Sequence, residues 1–370
     1  MSDLPEPDAL PGAPHPRFAP ALYGQQEAEA AFLEAFNSGR LHHAWLITGP
    51  RGVGKATLAW RIARFLLTTP EEDGGVFGDP APPTSLDTPE DHPVARRMLA
   101  LSEARLFLLR RGYDERAKRL KADITVEEVR KLGGFFGLSA ADGGRRVVIV
   151  DAADEMNVNA ANALLKVLEE PPKNATLLLV CHRPARLLPT IRSRCRVLRC
   201  GPLGPEDMAR ALGDAVDAPD ALGPLAGGSA GAALLLAEED GPGIYAALLA
   251  LISKAPQIDR AAAVKLAEQA AQRGKDARRD LTLRMIDLLI ARLAKTGAGI
   301  PPEIEAAQGE ADTLLRLAPN AAAAREWAAL QQALTQRAGH GLAVNLDPST
   351  LILDMVLRMN ETAAAILARH

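Results

Sequence analysis

Gly49-Pro-Arg-Gly-Val-Gly-Lys55 sets glycines and a lysine at the spacing of a phosphate-binding loop, GxxxxGK. Glycines allow backbone N–H groups to turn inward around phosphate oxygens, and the N-terminus of a following helix adds its positive end. Gly49, Gly52, Gly54 and Lys55 are therefore candidate nucleotide contacts, with Lys55 reaching for the β- and γ-phosphates. The next position should carry a hydroxyl that holds magnesium. It is Ala56, whose methyl group cannot ligate a metal; Thr57 follows one residue later, a further candidate contact turned elsewhere on the helix. A second acidic element is Val147-Val-Ile-Val-Asp151, where a carboxylate at the end of a buried strand suits a magnesium-binding role. Phosphate chemistry without good metal chemistry is the reading: ATP or ADP, bound weakly or without magnesium.

These residues need a strand, a loop and a helix in that order. His43-Ala-Trp-Leu-Ile-Thr48 reads as a short buried strand before the loop. After it, Leu58, Ile62, Phe65 and Leu66 fall at helical spacing on one face of 55–67. Arg146–Val150 and Thr176–Cys181 are further apolar strands, with an Ala/Leu helix over Asn159–Leu168 between them, stopped by Pro171 and Pro172. Continuous apolar strands alternating with helices indicate a parallel sheet covered on both faces. Residues 28–36 and 125–132 are predicted helices, and the basic stretch 96–122 is read as helical with a solvated face. Residues 68–95 form an acidic, proline-rich surface insertion, and residues 1–20 a flexible Pro/Ala-rich arm. After Gly201 the strand pattern ends: 201–240 reads as short broken helices and 241–370 as a helical domain, with loops at 297–302 and 339–348.

The chain's 370 residues suit two or three domains, and 48% apolar with 24% charged residues is a soluble globular composition. A net charge of −3 and a pI of about 6.2 argue against gripping nucleic acid over the whole surface. Cys181, Cys195 and Cys200 have neither the number nor the spacing for a disulfide framework or a zinc site, which fits a reducing cytoplasm. No run has the length of a membrane helix, and Asp3, Glu6 and Asp8 do not read as a secretion signal.

Tyr23-Gly24-Gln25, Asn162-Ala-Leu-Leu-Lys-Val-Leu-Glu-Glu-Pro-Pro172 and Arg192-Ser-Arg-Cys195 resemble the clamp-loader family of AAA+ proteins, which includes the gamma/tau and delta-prime subunits of bacterial DNA polymerase III. The resemblance is specific over 21–200, weaker to about 240 and architectural beyond. It implies an α/β plus all-α fold: a RecA-like P-loop domain with a parallel sheet (21–200), a small helical lid (201–240) and a C-terminal helical collar (241–370). It also implies that Arg194 is an arginine finger aimed at the γ-phosphate of ATP on a neighbouring subunit. A rigid, always-charged guanidinium suits that task.

Against the family pattern, the glutamate that polarises water is Ala152, and the second-sensor arginine after Gly228-Ser229-Ala230 is Gly231. Cys181 and His182 are the candidates for the first sensor. The four-cysteine zinc module of many relatives is absent from 68–100, so no zinc is expected. The resemblance implies a subunit without ATPase or polymerase activity of its own. It would work with delta and gamma/tau subunits to load a sliding clamp on primed DNA. The alternatives are an ATP-hydrolysing gamma/tau-like subunit and a regulatory AAA+ module outside replication.

Overall fold

The computed structural model describes the chain except for residues 1–4, 10–12, 71–80, 90, 117, 139–143, 214–218, 273, 275, 345 and 370. The described residues group into two compact units. One is Met1–Ala211 with Gly228–Gly231; the other is Leu212–Gly227 with Ala232–His370. The 201–240 stretch, expected as a separate lid, is thus shared between them.

The first unit begins with α1 (Gln26–Asn37), β1 (Ala44–Thr48), α2 (Lys55–Thr68) and α3 (Pro93–Leu99). The strands β2 (Leu106–Arg110), β3 (Tyr113–Asp114) and β4 (Arg119–Leu120) follow, then α4 (Val126–Leu138), β5 (Arg146–Asp151) and α5 (Val158–Glu169). It continues with β6 (Ala175–Cys181), the single turn α6 (Pro189–Arg192) and β7 (Arg196–Arg199). Five strands form one sheet in the order β2-β5-β6-β1-β7, every pair parallel. Alternation along β5 divides its side chains between two cores: Val147 and Ile149 pack with α1, α2 and α3, and Val148 and Val150 with α4 and α5. All seven residues of β6 are buried, as the centre of a doubly covered sheet requires.

Two expectations fail in this unit. The basic stretch is not one helix: Leu106–Arg110 is an edge strand in register with Val147–Asp151, and β3 and β4 form a small hairpin. The described part of the arm is also tied down. Glu6 pairs with Arg17 (2.6 Å), Asp8 pairs with Arg110 (2.6 Å) and His15 (3.1 Å), and Arg64 donates to the Arg17 carbonyl. Within the insertion, residues 81–89 are described and have no helix or strand, and 71–80 lie outside the described residues.

The second unit is helical. Of the helices that follow β7, α7 (Pro205–Leu212) falls almost wholly in the first unit, and α8 (Pro219–Ala226) and most of α9 (Ala230–Glu238) fall in the second. Then come α10 (Gly241–Ile252), α11 (Arg260–Ala270), α12 (Asp276–Gly297), α13 (Glu310–Leu317), α14 (Ala321–Ala343) and α15 (Pro348–Leu367). α14 runs through Gly339 and Gly341, where a loop was expected; Gly341 lies close to Leu346 and Leu351, so a small residue fits that packing. Trp327 is fully buried and donates its indole N–H to the Leu317 carbonyl at 2.9 Å. Among the described residues no helix is long and apolar enough to cross a membrane.

Candidate functional site

Parallel strands present their carboxyl ends on one edge of the sheet, the usual ligand edge of such folds. At that edge Thr48 of β1 is in register with Cys181 of β6, and Asp151 of β5 with Arg110 of β2 and with Val180, one residue before Cys181. The Gly49–Lys55 loop leaves β1 there and enters α2, and Asp151 lies close enough to act on the Lys55 charge. Gly49 adopts φ 147°, and a Cβ there would collide with the Cys200 carbonyl.

Lys55 is only 3% exposed and donates to the carbonyls of Gly49 (2.8 Å) and Pro50. Burial depresses its pKa to about 8, although Cys200 and Asp151 pull the other way. Asp151 is pushed up to about 8, mainly by burial and then by the carboxylates of Asp8 and Glu155, against Lys55 and Arg51. Burial also raises Glu155, partly countered by its ion pair with Arg111 at 2.9 Å. Burial acts to raise Asp154, but the His182 backbone N–H donates to it at 2.8 Å and holds it below the usual carboxylate range. His182 is depressed to about 4 by burial and then by the Lys55 charge, so its ring is neutral near pH 7.

The loop is also engaged by its own chain. Ser229 Oγ donates to the Arg51 carbonyl at 2.8 Å, and the Gly231 N–H donates to the Gly52 carbonyl at 3.1 Å. A side chain at Gly52 would strike Ser229. Gln25, buried, donates to the carbonyls of Val53 (3.0 Å) and Gly201 (2.9 Å) and accepts from the Gly201 N–H (3.1 Å). Thr57 sits half-buried on α2, two residues past Lys55.

The residues present do not fit magnesium-assisted hydrolysis at this loop. Ala56 offers no ligand and Ala152 no carboxylate, while Asp151 is biased towards its protonated form. The sign of that bias makes a prediction. Between an unfolded value of about 4 and about 8 the folded state holds an extra proton at Asp151, so folding stability falls as pH rises through that window. Asp151→Asn should therefore stabilise the chain at pH 8.5, by roughly 3–5 kcal/mol, and much less at pH 5. Urea denaturation at the two pH values measures this.

Arg194 lies two residues past α6. Nη2 is 2.9 Å from Glu169 Oε1, Nη1 donates to the Thr190 carbonyl at 3.1 Å, and the side chain is 38% exposed. The acidic arm reaches this edge of the sheet without a motif to announce it. Asp8 has a 3% exposed side chain and bonds Arg110, the β2 residue in register with Asp151. Its only sequence signal was three acidic residues among prolines.

Residues 24–203 match the family model described as "DNA polymerase III, delta subunit". Over 192 residues the chain is 40% identical to DNA polymerase III subunit delta' of Pseudomonas aeruginosa, covering 50% of this chain and 53% of that one. It is 32% identical to subunit delta' of Escherichia coli over 211 residues, 56% of this chain and 58% of that one. The chain thus spans about half the length of the curated relatives it matches. A solved Thermotoga maritima structure described as DNA polymerase III gamma subunit-related aligns over 90% of this chain and 99% of that chain, at 16% identity and a TM-score of 0.41. Residues 24–203, which hold the phosphate-binding loop and the Ser193-Arg194-Cys195 triplet, are thus the stretch similar to that family and to DNA polymerase III delta' subunits.

Proposed function

We propose that this chain is the delta-prime subunit of a DNA polymerase III clamp loader that hydrolyses no ATP itself and supplies Arg194 to an ATP site on a neighbouring gamma/tau-type subunit. Its other partners are a delta subunit and, through the assembly, the sliding clamp and primed DNA; it works in the cytoplasm. One observation carries this reading: a half-exposed arginine is held at the surface of a chain with alanine both after its loop lysine, at the magnesium position, and after β5, at the water-activating position. An arginine donated in trans stabilises charge spread over phosphate oxygens as the bond to the leaving group loosens. That task needs no nucleotide bound to the donor. Any polymerase label belongs to the holoenzyme, because no carboxylate constellation of a polymerase is evident in the sequence.

A loader assembled from delta and gamma/tau subunits, with and without this chain, tests the proposal. DNA- and clamp-stimulated ATPase should require the chain, and the chain alone should show no turnover. Turnover by the isolated chain, or equal rates without it, would overturn the reading.

Nucleotide binding, where it occurs, follows from the same residues. Lys55 and the loop backbone offer phosphate contacts, but Ala56 offers nothing to a metal. ADP affinity measured by titration should be the same in magnesium and in EDTA. Tightening by magnesium would mean that this chain holds the ion through other ligands.

A further inference from the structure

We infer that Glu169 is a positioning residue for Arg194, orienting the guanidinium for a phosphate on the neighbouring subunit. The inference rests on the reading of Arg194 as a trans finger and adds the group that aims it.

Glu169 ends α5 and Arg194 follows α6, so the two belong to different sequence motifs that the fold brings together. Both supports are rigid. Leu164 and Leu168 of α5 share a core with Leu187 and Ile191, the last of which belongs to α6, and Leu168 and Ile191 are almost fully buried. Pro171 and Pro172 prevent α5 from continuing past Glu170. Glu169 therefore presents its carboxylate from a fixed helix end.

The guanidinium is held at two points, by Glu169 on one terminal nitrogen and by the Thr190 carbonyl on the other. An arginine has five N–H donors in a rigid plane. Two anchors fix that plane and leave donors free for a phosphate. An arginine without them would have to be ordered when the neighbouring ATP reacts. The pair itself does little for folding, because Arg194 is half-exposed, Glu169 is exposed, and a solvated ion pair contributes little to stability. Its strength lies in orientation. Glu170 provides the control: it is adjacent and exposed and carries the same charge in the same motif, but the ion pair of Arg194 is with Glu169.

The test is stimulated ATPase of the complete loader with substitutions in this chain only. Glu169→Ala should lower kcat at the site Arg194 serves by about 3–10-fold, the scale of a lost orienting contact, with KM for ATP not raised. Glu169→Gln, which keeps an oxygen acceptor, should recover most of the loss, and Glu170→Gln should change nothing. Adding Glu169→Ala to Arg194→Ala should cause no further loss. The thermal midpoint of the chain should stay constant, which separates positioning from a structural role. An unchanged or increased kcat in Glu169→Ala, with Arg194→Ala still strongly impaired, would overturn the inference and leave the finger standing. If Arg194→Ala is itself without effect, the finger reading fails and this inference falls with it.

Discussion

Arg194→Ala in this chain alone should lower ATP turnover at one site of the assembled loader by about 10³-fold or more, the scale on which a trans arginine acts. Assembly should be intact, because the side chain is half exposed and its partners are Glu169 and a backbone carbonyl. Exposed pairs of this kind are worth about 0–1 kcal/mol to folding. Other sites in the assembly keep their own chemistry, so the loss is best read in a single-turnover experiment that resolves the sites. Lysine should rescue poorly: it brings a point charge without the planar fork that engages two phosphate oxygens. Wild-type burst amplitude and rate in the Arg194→Ala complex would remove the trans role from this chain.

Glu310→Ala should cost the helical unit about 3–5 kcal/mol, the penalty for stranding one partner of a buried ion pair. Glu310 is 0% exposed, and its carboxylate accepts from Arg292 at 2.6 and 2.9 Å, from the Tyr245 hydroxyl and from the Ala306 N–H. Arg292 in turn donates to the Ile304 carbonyl at 2.8 Å. The carboxylate thus pins the connection between α12 and α13 to both helices and to α10. Burial, followed by Glu310, raises the Tyr245 hydroxyl well above its ordinary pKa, so it remains a donor throughout the working range. Alanine leaves the Arg292 charge buried without its partner. Replacing Arg292 and Glu310 together with apolar residues should recover much of the loss, because the desolvation cost of both charges disappears. Urea unfolding read from Trp327 fluorescence, with Trp45 and Trp60 changed to Phe, reports on this unit. A loss below about 1 kcal/mol would mean that the cluster is much better solvated than its geometry indicates.

Sequence patterns carried the sheet well wherever burial dictates composition. The runs that became β1, β5 and β6 are apolar because both faces of the sheet are covered, and that continuity is visible without a structure. The loop and its lysine were legible for a related reason, since their spacing is the geometry. β2 was not. Leu106-Phe-Leu-Leu109, flanked by arginines, has no period that separates strand from helix, and only pairing with β5 decides it. The docked arm was hidden because its contacts are remote: Asp8 and Arg110 are 102 residues apart. Glycines at 339 and 341 suggested a break in α14, but tertiary packing overrides their weak helix propensity. At the site, the triplet around Arg194 was visible and its partner was not, because Glu169 reaches it only through the packing of α5 against α6.

In the proposed role this chain serves catalysis at a site it does not own. The most direct test of that role compares two complete loaders, one carrying Lys55→Ala and the other Arg194→Ala, each in this chain only. Stimulated ATPase and clamp loading should be unchanged with Lys55→Ala and should collapse at one site with Arg194→Ala. Loss of activity with Lys55→Ala and normal activity with Arg194→Ala would contradict the claim and make this chain a user of its own phosphate-binding loop.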